Sequence, residues 1–80
     1  MKNHTYRTII EPDGTSFHGY VPALPGCHTF GKTISDTRKH VREAISGYIE
    51  CLIKDKRSIL LDEGMEVYES FKIDSNKIYA

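Results

Sequence analysis

The 80-residue sequence predicts a single α+β domain of order β-β-β-α-β. Its expected form is a four-stranded mixed sheet, strand order 3-2-1-4, with one helix packed across one face. Three observations lead there. Short runs rich in β-branched and aromatic residues are separated by Gly- and Pro-containing turns in the first third of the chain. A long stretch with helical apolar periodicity follows, and after it comes a segment of strict two-residue alternation. The length suits one domain over residues 1–80, whose thin core would often need outside help.

The first strand is expected at about residues 5–11, ending at the Pro12-Asp13-Gly14 turn signal. The second is expected at 17–23. It closes at Leu24-Pro25-Gly26, where proline fixes one torsion and glycine permits a positive one. The third follows at 27–32. Connections this short predict an antiparallel meander. The helix is expected at about 35–56, capped by Thr33 or Ser35 with Asp36 in or beside its first turn. Val41, Ala44, Ile45, Tyr48, Ile49, Leu52 and Ile53 make its apolar stripe, while Arg38, Lys39, Arg42, Glu43, Glu50 and Lys54 face solvent. Gly47 interrupts it at a cost of about 1 kcal/mol, which a close approach of the sheet backbone would explain. Cations at 54–57 suit the C-terminal dipole.

The fourth strand is expected at 66–73, with Val67, Glu69, Phe71 and Ile73 on one face and Tyr68, Ser70 and Lys72 on the other. A helical crossover from the third strand can return this segment parallel to the first and beside it. The second sheet face then has no cover. Tyr6, Tyr20, Phe30 and Tyr68 are the aromatics expected on or near it, and an uncovered apolar face predicts self-association as a dimer or tetramer.

Charge narrows the function classes. Lys and Arg number 11, as do Asp and Glu, so the formal net charge is zero. Residues 31–57 carry a basic surplus, offset by Asp62, Glu63, Glu66 and Glu69. That balance disfavours a dedicated nucleic-acid binder. Two cysteines do not make a disulfide scaffold, so a reducing, cytoplasmic setting is expected. The first residues lack the apolar run of a signal peptide, and no stretch is apolar enough to predict a membrane span.

The run Gly19-Tyr20-Val21-Pro22-Ala23-Leu24-Pro25-Gly26-Cys27-His28-Thr29-Phe30-Gly31-Lys32-Thr33, followed by Arg42-Glu43-Ala44-Ile45 and an apolar helix, resembles the HicB-like antitoxin domain. The resemblance covers roughly residues 5–73. It implies a partial ribonuclease H-like fold and a role in a type II toxin–antitoxin pair, in which the domain masks a small basic RNA-cleaving toxin. Longer members carry a C-terminal DNA-binding module. The sequence runs only seven residues past the expected fourth strand, so specific DNA binding is not expected. The family pattern often has an acid where Ala23 and Lys32 stand here, so toxin contacts made by those acids would be weakened.

Catalysis is not expected. Ribonuclease H chemistry gathers several carboxylates around two metal ions about 4 Å apart. The strands offer only Glu11, while Glu43 and Glu50 lie on the polar side of the helix. Cys27 and His28 are adjacent in a strand and point to opposite faces, so Cys27 reads as a small packing residue. Cys51 reads likewise. His18 and His28 could approach each other across strands two and three, but two ligands fall short of the four a zinc ion expects. No metal or cofactor is therefore expected. The residues assigned to partner binding are Pro22, Leu24 and Pro25 on the rigid turn and the acids Asp62, Glu63, Glu66 and Glu69, which suit a basic toxin electrostatically. The alternative function is an oligomeric scaffold of the same fold that binds another protein or a small ligand, with no toxin partner.

Overall fold

The computed structural model describes residues 3–74 and Asn76; the ends of the expected 1–80 domain at residues 1, 2, 75 and 77–80 lie outside the described residues. The chain is α+β. Strands β1 (Ile9–Asp13), β2 (Ser16–Tyr20) and β3 (His28–Gly31) form an antiparallel sheet in the order β1-β2-β3, and helix α1 (Ile34–Lys54) packs on one face.

Local chemistry explains each boundary. The first turn is tighter than expected: Asp13 pairs with Ser16, leaving Gly14 and Thr15 as a two-residue hairpin loop. Gly14 has φ of 62°, a conformation that costs glycine nothing. This shifts β1 two residues later than the turn signal implied and places Pro12 inside an edge strand, where a missing N–H is tolerated. The connection from β2 to β3 is closed by backbone bonds from Leu24 N to Val21 O (3.0 Å), Cys27 N to Leu24 O (2.9 Å) and Val21 N to Cys27 O (3.1 Å). Gly26 supplies the positive φ, 81°.

Thr33 is the helix cap: its Oγ1 accepts from Asp36 N at 3.0 Å. At the other end Lys56 adopts φ of 56°, with Lys56 N bonded to Ile53 O and Arg57 N to Leu52 O. That is a Schellman closure with lysine where glycine is usual.

Val21, Leu24, Cys27 and Val41 form the buried core, with Tyr6, Ala44, Ile45 and Tyr48 packed against it. The helix approaches the sheet most closely at two glycines. A Cβ on Gly31 would stand 2.6 Å from Thr37 N, and one on Gly19 would stand 2.6 Å from Val41 Cγ2. Thr37 is fully buried between them and returns its hydroxyl to Thr33 O at 2.7 Å. His40 Nδ1 lies 2.8 Å from Phe30 O, a second tie between helix and β3. Gly47 does not meet the sheet, contrary to the sequence reading; a Cβ there would have nothing within 4 Å.

The fourth strand is the principal correction. Residues 66–73 form no strand, so the expected 3-2-1-4 order and its ribonuclease H-like layout are not formed in this structure. Val67, Tyr68, Phe71 and Ile73 are exposed, Phe71 by 81%. Alternation states which faces a strand would have, but a ladder also needs an edge that receives it. The molecule is 56 Å long with a radius of gyration of 16.6 Å, against about 12 Å for a compact chain of this length. Ile34 and Ile53, at the two ends of the helix, are exposed as well. A 21-residue helix is about 31 Å long and overreaches strands of about 17 Å.

The glycines give a paired test. Gly31→Ala forces a Cβ against helix backbone and should cost about 1–3 kcal/mol. Gly47→Ala meets open space and should gain about 1 kcal/mol from helix propensity. Thermal or urea unfolding of the two variants should shift the midpoint in opposite directions.

Candidate partner-binding surface

The register sorts the strand side chains between two faces. Ile10, Gly19 and Thr29 stand in one row, and Gly19 faces Val41 and Thr37, so this row lies under the helix. Their neighbours Ile9, Glu11, His18, Tyr20, His28 and Phe30 therefore share the open face. Tyr20 pairs with His28, and His18 with Phe30. The rings meet: His18 stacks on Tyr20 with centroids 5.5 Å apart, lies 4.8 Å from Phe30 and meets His28 edge-on at 5.4 Å. His18 is thus the centre of an aromatic patch, and half of the Phe30 side chain is exposed to solvent.

Of the aromatics expected together, Tyr20 and Phe30 do share this face. Tyr6 and Tyr68 do not. Tyr6 packs against the core and donates its hydroxyl to Leu60 O at 2.5 Å. Tyr68 stands on the extended tail, 85% exposed. The sequence reading brought His18 and His28 together across strands two and three, and the rings do meet. It did not place His18 at the centre of an aromatic patch, which the alternation His18-x-Tyr20 opposite His28-x-Phe30 reveals once the register is fixed.

The proposed contact residues are divided in the same way. Pro22 and Pro25 are exposed on the closed turn, but Leu24 is 1% exposed and belongs to the core. Three backbone bonds fold the turn inward at that residue, so Leu24 cannot present itself to a partner. The acids separate as well. Glu63, Glu66 and Glu69 are exposed, whereas the Asp62 side chain is only 4% exposed and paired with Arg7. Arg7 N donates to Asp62 Oδ2 at 2.7 Å, and Arg7 Nε lies 3.1 Å from both carboxylate oxygens. Gly64 N donates to Oδ1 at 3.0 Å. Arg7 also lies so close to Gly64 that a side chain there would collide with it. This clamp ties the segment after the helix to the start of β1, and both charges are engaged within the chain.

The clamp sets the Asp62 carboxyl below the usual carboxylate range, first through the Arg7 backbone N–H and next through its side chain. A depressed folded pKa stabilises above the free-carboxyl value, about 3.9, and the contribution is lost as pH falls through the lower folded value. Acidification through that window should lower the protection factors of the Arg7 and Gly64 amides, read against the intrinsic exchange rate, which itself slows in acid. Asp62→Asn should leave both amides fast-exchanging at neutral pH and remove the acid transition.

The remaining chemistry is sparse. Glu11 lies on the open face and Glu43 on the exposed side of the helix, so the sheet and helix carboxylates stand on opposite layers. Among the described residues, no group of three or more His, Cys, Asp or Glu could hold a metal ion. No helix among them is long and apolar enough to cross a membrane. Cys27 is buried, as expected for a packing residue, and burial raises its thiol pKa. Cys51, expected to pack, is exposed instead, on the rim of a cleft of about 340 Å³ between the helix and the Gly26 turn, beside Gly47 and Tyr48. A thiol reagent at neutral pH should therefore label Cys51 readily and Cys27 only on unfolding, read as one thiol per native chain.

Comparison with known proteins decides the family. The model of the HicB-like antitoxins of bacterial toxin–antitoxin systems matches residues 6–77. The chain belongs to this HicB-like antitoxin family. The body is similar to the crystal structure of the N-terminal domain of the Burkholderia pseudomallei antitoxin HicB, with a TM-score of 0.63 and 34% identity over 72% of this chain and 69% of that one. A UPF0150 protein of Thermoplasma acidophilum is 41% identical over 63 residues, covering 78% of this chain and 91% of the relative. A UPF0150 protein of Synechocystis is 37% identical over 71% of each.

Proposed function

We propose that this HicB-like chain is the antitoxin of a toxin–antitoxin pair and acts by binding and neutralising a small, basic, RNA-cleaving toxin. The observation that carries the reading is the likeness of its sheet-and-helix body to the N-terminal domain of an antitoxin, at 34% identity and a TM-score of 0.63. Neutralisation here is a matter of binding alone. The carboxylates lie on opposite layers, and the thiol in the core is held protonated by burial. The accessible contact set is narrower than the sequence suggested: Pro22 and Pro25 on the closed turn, with the exposed acids Glu63, Glu66 and Glu69. A rigid turn presents its side chains at small entropic cost, and exposed acids steer a basic partner. No specific DNA contact is part of this reading, because acids are interspersed among the cations on the exposed helix face. The cytoplasm, where such a toxin acts, is its place.

The same domain self-associates in this reading. The His18, Tyr20, His28 and Phe30 patch is an uncovered aromatic face, and aromatics concentrate at protein interfaces. That patch also supports the second reading, an oligomeric scaffold that binds another protein or a small ligand without any toxin.

Titration against the small basic protein encoded beside this one tests the antitoxin role. Tight binding with loss of RNA cleavage is the expected result; no binding, with the chain folded, leaves the scaffold reading. Reversing Glu63 and Glu66 to lysine should slow association about tenfold at low ionic strength and flatten its salt dependence. Unchanged kinetics would remove the electrostatic part.

A further inference from the structure

Three features of the monomer remain unsatisfied, and they fit one another. The first is the edge of β1. Among the described residues it pairs only with β2, so its other side is open. In a hairpin closed at Asp13 and Ser16, the alternation of pairs turns the N–H and C=O of Ile10 off that open edge. The second is a cleft of about 340 Å³ above the same edge. Helix α1 lies mainly over β3 and β2, so Tyr6, Thr8 and Ile10 on one side and Val41 and Ile45 on the helix side line an open space, bordered by Arg38 and Arg42. The third is the segment 66–73. It alternates like a strand, its apolar side chains are exposed, and among the described residues no hydrogen bond joins residues 65–74 to the sheet.

The charge pattern joins the three. Val67, Phe71 and Ile73 are the apolar face of the segment, and Glu69 interrupts it. In an isolated strand that acid is an anomaly on the face meant for a core. Laid along β1 with this face toward the cleft, the segment covers the half-buried Ile10 and Ile45 with its aliphatic and aromatic side chains. Glu69 then comes to the border that Arg38 and Arg42 occupy.

We infer that residues 66–73 of one copy add as a fourth strand to the open β1 edge of a second copy, filling its β1–α1 cleft, in a reciprocal exchange. The occupant is a second copy because the segment stands away from its own edge. The Arg7–Asp62 clamp holds the chain as far as Gly64, and beyond that point residues 66–73 form no strand and leave Val67, Phe71 and Ile73 exposed. Both halves of the contact are therefore free on each molecule. Strand addition supplies main-chain bonds to an open edge, and pockets for alternate side chains give it selectivity. Exchange of identical elements closes as a symmetric pair.

The full-length chain can be followed by light scattering through a micromolar dilution series, with amide exchange measured on the same samples. A dimer is expected, with slow exchange over 66–73 that disappears as the dimer dissociates. Glu69→Arg should raise the dimer dissociation constant about tenfold or more, and adding Arg42→Glu to that variant should recover most of the loss. Phe71→Asp with Ile73→Asp, both at exposed positions, should give a folded monomer. A monomer with protected 66–73 amides would mean that the segment closes onto its own edge and would overturn the exchange. So would a monomer with unprotected amides, or a dimer that survives the Phe71 and Ile73 changes. No toxin enters this test, so its outcome is separate from that of the antitoxin reading.

Discussion

The placement of the helix over the sheet is fixed by contact between Thr37 and the two glycines beneath it. Gly31 and Gly19 have no side chain where the helix comes down, and Thr37 is fully buried there with its hydroxyl returned to Thr33 O. Backbone-to-backbone proximity of this kind leaves little freedom to slide, because packed interiors resist shifts of even a methylene. Once the first turn of α1 is seated on β3 and β2, the rest of the stripe follows. Val41 then enters the core, and Leu52 reaches cover further along. The same placement carries the helix away from β1. The cleft above that edge is a consequence of where the glycines are.

A second constraint acts from the far side of the molecule. After the Schellman closure at Lys56, the chain crosses back and is tied to the start of β1 by Asp62 against Arg7 and by Leu60 against Tyr6. These bonds span more than fifty positions in sequence. They hold an otherwise irregular segment in place without regular structure, and they consume a carboxylate that would otherwise count toward an acidic surface. The distribution of charge in sequence is therefore a poor map of the charge offered to a partner. Glu63, Glu66 and Glu69 remain exposed, while Asp62 is held by Arg7.

The domain presents two separate surfaces. One is the open sheet face with its aromatic and histidine cluster; the other is the β1 edge with its cleft. The Pro22–Gly26 turn lies between β2 and β3 with its two prolines outward. A small domain with a core of so few buried residues gains stability when such surfaces are covered.

The α+β class, the three-stranded meander, the helix with Thr33 as one of its two cap candidates, and the family were all legible in the sequence, because each rests on local chemistry. Turn glycines, a capping hydroxyl and a 3.6-residue period act within a few positions of themselves. The burial of Cys27 was legible for the same reason. What the sequence could not decide was whether the alternating segment 66–73 has an edge to join, since a ladder needs two partners and only one is written in the segment. Nor could it show that Leu24 turns inward, that Tyr6 leaves the aromatic face, that Cys51 is exposed, or that Asp62 belongs to Arg7. Those outcomes depend on which distant groups the packed helix and the returning chain bring within a few ångströms, and tertiary structure alone settles that.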